Sequence, residues 1–268
     1  MSTFHLLHWR RSKLVLSNKL AGRGLVAGVA LAALSSAATA GVLGGGFVIT
    51  AENEFGTAHA EISMDAFTYH EASNPADSTW EWNLAAPIHL YSDGGNLIGT
   101  LNEAHGFYKA DPIVTLGFFV TAGLSDTHFT VTSALLSFPT IPNANGQASV
   151  GMTLTDSNHD GATMTGAYAD GKAYRAFYNG FAPGGSVFTS QIGTYSVGSG
   201  GSDVRAAVDG FRPVGASVSD MSAQFDFIVT ANDLAGGTAR YEIVPEPASI
   251  GAIAMGLGAL VMRRRNRK

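Results

Sequence analysis

Between Gly41 and Val244 the apolar residues come in short runs, rich in Val, Ile, Thr, Phe and Tyr, cut by clusters of Gly, Asn, Asp and Pro. That rhythm predicts β-strands and turns. Ile88–Tyr91 and Leu97–Leu101 flank Ser92-Asp93-Gly94-Gly95-Asn96, which predicts a hairpin with a glycine-rich loop. Ile113–Val120 is almost wholly apolar, as expected for a strand covered on both faces. Phe129–Thr132 alternates and leads into Leu135–Phe138, with Pro139 and Pro142 marking a break. Ser149–Thr155 turns Val150, Met152 and Leu154 to one side. Ala162–Tyr168, Ala173–Tyr178, Val187–Val197 and Gln224–Thr230 continue the series, and no long amphipathic helix interrupts it. The expectation is an all-β body over residues 41–244: a single antiparallel β-sandwich, jelly-roll-like or immunoglobulin-like. The glycine-rich stretches at 184–186 and 198–202 are short and read as loops of one domain.

Both ends break this pattern. Arg10, Arg11, Lys13, Lys19 and Arg23 precede the apolar run Gly24–Leu34, and small residues follow up to Ala38-Thr39-Ala40. A basic stretch, an apolar core and an A-x-A site predict a secretory signal peptide over 1–40, cleaved after Ala40. At the other end, Pro245-Glu246-Pro247 leads into the uncharged run Ala248–Met262 and then Arg263, Arg264, Arg265, Asn266, Arg267 and Lys268. Prolines hold the first part extended. The apolar run predicts a C-terminal transmembrane helix, and the cations behind it a cytoplasmic stop. That helix is short: 15 residues reach roughly 22 Å at ~1.5 Å per residue, against a hydrocarbon core of ~30 Å. Gly251, Gly256 and Gly258 weaken it further as a permanent anchor.

The ends also distort the charge. The whole chain reads −5, but five of its 16 Lys and Arg lie within residues 1–40 and five more within 263–268. Residues 41–244 keep six basic against 20 acidic groups, a net charge of −14. Such a body repels nucleic acid and attracts divalent cations. The chain has no cysteine, which removes thiol catalysis, Cys-based zinc sites and disulfides; a body of this size buries enough core to fold without them.

Pro245, Glu246 and Pro247, the Gly/Ala-rich apolar run and the Arg cluster together resemble the C-terminal sorting signal of PEP-CTERM proteins, a family of Gram-negative bacteria that often make extracellular polysaccharide. The likeness covers 24 of 268 residues. It implies recognition by an exosortase, a multi-pass membrane protease, with the chain held in the inner membrane and then delivered to the cell surface or beyond. Asp111-Pro112-Ile113, Gly117–Gly123, Leu135–Pro139 and Ala176–Gly180 are similar to segments of uncharacterised β-rich members, which implies a shared fold and no known activity.

Candidate chemistry in the body is sparse. Asp156-Ser157-Asn158-His159-Asp160-Gly161 has the D-x-N-x-D-G opening of a calcium loop, so Asp156, Asn158 and Asp160 are candidate calcium ligands. Ala167 stands where the loop's bidentate Glu belongs, and the same residues also suit a polar hairpin turn. Trp80 and Trp82 sit at i and i+2, on one strand face. Exposed, they would stack on sugar rings; buried, they are core. Glu52 and Glu54 share a strand face, where a solvated role outweighs a catalytic pair. The chain has no G-x-S-x-G elbow, H-E-x-x-H helix or P-loop, and its histidines lack metal-ligand spacing. The expectation is no enzyme and no required cofactor, but an exported surface or matrix protein with a structural or adhesive role among polysaccharides. A carbohydrate- or calcium-binding module is the alternative.

Overall fold

The computed structural model describes residues 40–246. The signal segment with Ala38, the C-terminal helix, Pro247 and the cluster Arg263–Lys268 lie outside the described residues. Sixteen strands follow one another: β1 (Gly41–Asn53), β2 (Gly56–Ile62), β3 (Thr68–His70), β4 (Thr79–Asn83), β5 (Ile88–Tyr91), β6 (Leu97–Lys109), β7 (Ile113–Ala122) and β8 (Thr127–Ile141). Then come β9 (Ala144–Thr155), β10 (Ala162–Gly166), β11 (Lys172–Tyr178), β12 (Ser186–Gly193), β13 (Tyr195–Val197), β14 (Ser202–Pro213), β15 (Val218–Val229) and β16 (Leu234–Pro245). Single 3-10 turns at Met64–Ala66 and Pro75–Asp77 are the only helical segments among the described residues.

The strands form two eight-stranded sheets, antiparallel throughout. The first runs β12-β11-β15-β8-β1-β2, with β10 beside β15 and β13 beside β10; the second runs β14-β9-β16-β7-β6-β4-β3, with β5 beside β6. This is the expected all-β sandwich, with about twice the strands of the immunoglobulin or jelly-roll patterns. The predicted hairpin forms, Ile88 opposite Leu101 and Tyr91 opposite Leu97.

The core lies between the sheets. Phe118 of the second sheet sits edge-on to Phe225 at 4.9 Å and stacks on Phe227 at 5.6 Å, both from the first sheet. Tyr174 packs on Phe225, and Phe188 of the first sheet stacks on Tyr241 of the second. Side chains of this size, removed from water, each contribute about 1.5–3 kcal/mol, and they join the two layers along the whole sandwich.

Three expectations are corrected. Pro139 does not end its strand: β8 continues to Ile141. Pairing with β1 stops at Gly41 opposite Ser137, and a bulge separates Val218 and Asp220 on the β15 side, so no ladder bond is required of the missing N–H. Second, β7 is not equally covered on its two faces; Thr115, Phe119 and Thr121 are half-buried on the outer one. Third, Glu52 ends up exposed on β1, while Glu54 lies in the β1–β2 turn, so the two acids share no strand face.

Candidate functional site

The loops at one end of the sandwich are stitched to one another. Asn96 Nδ2 donates to the Phe55 carbonyl, Asn53 Nδ2 to Thr127 Oγ1, and the Ala231 amide to Asp126 Oδ1. Asn158 Nδ2 reaches the Ala231 carbonyl, and Ser199 Oγ donates to the His159 carbonyl. Two features stand side by side in this web.

The first is a carboxylate cluster. Because β9 belongs to the second sheet and β10 to the first, the 156–161 segment bridges the sheets; the hairpin-turn alternative is corrected accordingly. His159 and Gly161 take left-handed φ of 67° and 95°, and this curls the segment so that its amides point at Asp156. The carboxylate accepts from the amides of His159 at 2.9 Å, Gly161 at 3.1 Å and Gly200 at 2.5 Å. Burial alone would raise the Asp156 pKa, but these backbone donors outweigh it and hold the carboxyl below its ordinary range. Asp160 and Asp233 complete the group: one oxygen from each of the three lies within 4.8 Å of the others. Asp233 is fully buried and accepts from Thr230 Oγ1 and the Ser157 amide. Its pKa is raised, first by burial and further by the charges of Asp156 and Asp160, against the pull of those two hydrogen bonds.

Of the three predicted calcium ligands, the structure brings two together. Asn158 is tied to Asp160: its Oδ1 accepts from the Asp160 amide, and its Nδ2 donates to Asp160 Oδ2. The third carboxylate, Asp233, was missed by sequence reading, because it lies far downstream with no spacing to announce it. Three converging oxygens suit a hard cation, although Ca²⁺ takes about 6–8. Mutual repulsion adds to burial in making Asp233 hold its proton more tightly, and a cation among the three would relieve it.

The second feature is a cleft of about 410 Å³ between the ends of β6 and β7. Phe55, Leu97 and Leu124, all exposed, give it apolar walls; Asn96, Thr100, Thr121 and Asn232 add amides and hydroxyls. Among the described residues no carboxylate, imidazole or amine lines it. Asn232 joins the two features: it lines the cleft, its φ is +60°, and its neighbour is Asp233. A surface of this kind suits a neutral ligand with hydroxyls and apolar faces. Its lining offers no group poised for proton transfer.

Trp80 and Trp82 lie elsewhere. Both are half-buried and packed against the core. Trp82 sits between Phe47 at 5.5 Å and Phe67 at 5.9 Å, and Trp80 stands 5.1 Å from Tyr69, which is 51% exposed. Their rings are engaged by neighbours, which favours core packing over a free sugar-stacking face for the pair. Opposite Gly106 and the fully buried Tyr108, they close the β3–β4 end of the sandwich. Pro245 is the last residue of β16, opposite Ala144, and Ala40 directly precedes β1.

No family model and no curated protein matches the chain. Among solved structures, the enzymatically active domain of tailspike protein 4 of bacteriophage CBA120 overlaps 68% of this chain at 11% identity and a TM-score of 0.28, and the chain spans only 20% of that domain. The carbohydrate-binding module TmCBM61, solved with β-1,4-galactotriose, overlaps 50% of this chain and 71% of its own length at 12% identity and a TM-score of 0.24. CsCBM6-3 from Clostridium stercorarium, solved with cellobiose, overlaps 68% of this chain and 95% of its own at 14% identity and a TM-score of 0.19. These are partial overlaps of β-strands, and the chemistry of the site rests on its own residues.

Proposed function

We propose that this chain is an exported, exosortase-processed protein of the Gram-negative cell surface or matrix, with a non-catalytic structural or adhesive role among polysaccharides. One observation carries the reading. The described strands begin at Gly41, directly after the expected cleavage at Ala38-Thr39-Ala40, and end at Pro245, the first residue of the Pro-Glu-Pro element. The two sheets formed by the described residues thus lie within the stretch that two processing events would leave. The test is fractionation of cells making Glu246→Ala or a chain lacking Arg263–Lys268. Retention in the inner membrane is expected for both; normal surface delivery of both would refute exosortase sorting.

A second reading is favoured by the loop end: a binding module that takes a neutral saccharide in the cleft beside a cation at Asp156, Asp160 and Asp233. The neutral lining of the cleft supports it. A glycan array with and without calcium, run in parallel on Leu124→Asp, tests it. Wild-type binding that Leu124→Asp abolishes is expected, and no binding under either condition rejects the module. For the cation, calcium should raise the thermal midpoint of the wild type and leave Asp233→Asn unmoved; equal response of both would remove Asp233 from the site.

A further inference from the structure

Strand β14 is the edge of the second sheet, and no strand lies against its outer side among the described residues. It is a long edge strand, at 12 residues, compared with seven in β2, eight in β12 and three in β3. From Ser202 to Asp209 it pairs with β9 without interruption, and only beyond Asp209 does a bulge disturb the ladder. Its outward face is apolar and bare: Val204 is 62% and Val208 68% exposed, with Ala206 exposed between them. An uninterrupted edge is open to another strand; one of its amides, that of Val204, is held by Asp203 Oδ1 at 2.9 Å.

We propose that β14 pairs with β14 of a second copy of this chain, antiparallel about a twofold axis at Ala207. This goes beyond the sorting reading and stands without it. The charges select the partner and the register. A twofold axis perpendicular to the sheet keeps both outer faces on one side, so it must fall where a residue meets its own copy. An axis at Arg205 sets that guanidinium against itself. One at Ala206 sets Asp203 opposite Asp209, and one at Asp209 sets that carboxylate against itself. An axis at Val208 pairs Arg205 with Phe211 and gains no ion pair. An axis at Val204 does set Arg205 opposite Asp203, but those two already pair within one copy, and nothing of β14 continues the overlap beyond Ser202. The axis at Ala207 sets Arg205 opposite Asp209 twice, once on each side; its regular overlap is Arg205 to Asp209, and the bulged end of the strand carries it on to Arg212. It also sets Val208 opposite Ala206 on the outer face. Opposite charges directly across a pair of strands stabilise it and like charges oppose it. Within one copy the Arg205 guanidinium pairs with Asp203 at 2.7 Å with its side chain 58% exposed, while Asp209 accepts from Thr189 Oγ1 and lies 3.5 Å from Arg212.

The chain's lack of cysteine makes the register directly testable. In the proposed pairing the two copies of Ala207 face each other about 4.5–5.5 Å apart, within disulfide reach. The two copies of Val204 lie six residues out of step, about 20 Å apart at ~3.4 Å per residue. Full chains carrying Ala207→Cys or Val204→Cys are purified in the same detergent and mildly oxidised. Covalent dimer from Ala207→Cys and little from Val204→Cys is expected, although Val204 is the more exposed. Adding Arg205→Asp to Ala207→Cys should lower the dimer yield on the order of tenfold, and Arg205→Asp with Asp209→Arg should restore it. Thermal melts confirm that each variant is folded. Equal cross-linking at the two positions, none at Ala207→Cys, or failure of the double reversal to restore dimer in a folded chain would each overturn the proposal.

Discussion

The two sheets end differently where β12–β13 and β14 lie one above the other. The first sheet's edge is broken: Thr194 separates β12 from β13, and Ile192 takes a left-handed φ of 59°. Its side chains are roofed by cations from the other sheet, Arg212 over the Phe188 ring at 4.1 Å and Arg205 over Tyr195 at 5.5 Å. The second sheet's edge, β14, runs in regular register, and nothing among the described residues covers its valines. The outer faces differ too. The first carries the pair of His128 and Asp226 and the 167–171 loop, whose Tyr168 donates to Gln224 and sits under Arg175. The second presents Thr, Gly and Ser from Thr153, Gly151, Ser149 and Thr238. A kinked, roofed edge protects itself from strand addition, whereas a regular bare one invites it.

The sharpest way to break this contrast is to compare a shared core residue with the bare edge. Phe225→Ala should cost about 3–5 kcal/mol, since the ring is fully buried against Phe118 and Tyr174. Val208→Ala should change the stability of the monomer by about 0.5 kcal/mol or less. Denaturant unfolding of both measures the difference; a comparable cost at Val208 would mean that the edge is covered.

Two glycines probe how tightly each sheet is packed around them. A Cβ on Gly166 would meet the backbone of Gly171 and Lys172 at 2.4 Å, where the covering loop returns. Gly166→Ala should therefore destabilise by about 1–3 kcal/mol. On the second sheet a Cβ on Gly117 meets only the His105 ring, at 1.8 Å from Cε1, and that ring can swing outward. Gly117→Ala should cost less, and the reverse order in thermal melts would show the 167–171 loop to be loosely held.

The smallest effect is a difference in sign between two histidines. His128 has its pKa raised, chiefly by the hydrogen bond to Asp226 and also by the charges of Asp226 and Glu52, with burial opposing. Its contribution is complete below the ordinary imidazole range of about 6.5 and is lost as pH rises through the higher folded value. Burial lowers the pKa of His105, so folding loses stability as pH falls through the ordinary range. NMR titration should place the two on opposite sides of about 6.5. Asp226→Asn should bring His128 down and leave His105 unchanged.

Much of the body was legible because strand periodicity is local. The β5–β6 hairpin and the strands around Val150, Val131 and Tyr174 follow directly from alternation and turn residues. Several strands were not legible, three of them for distinct reasons. On β16 the first inward positions are Ala235, Gly237 and Ala239, ahead of Tyr241 and Ile243; a Cβ on Gly237 would lie 2.5 Å from the Phe118 ring, so over that half of the strand small residues replace the apolar signal. On β14 the valines face outward and Asp203, Arg205 and Asp209 take the alternate positions, so its polarity is the reverse of a core strand's. On β1, Gly44, Gly45 and Gly46 hide the strand start, with Phe67 filling the space above Gly46. At the loop end, Asp156 and Asp160 were readable as a pair, while Asp233 and the cleft were not.

By itself the sequence determined the class of the body, its strongly acidic charge, the absence of thiol chemistry and the basic and apolar composition that sets its two ends apart. Those follow from composition and from patterns spanning a few residues. The tertiary structure alone decided that Asp233 joins Asp156 and Asp160, that Trp80 and Trp82 pack on the core, and that β14 is left at an open edge. Each depends on which strands become neighbours across long stretches of chain, and that choice is made by the packing of the whole core, which no local pattern records.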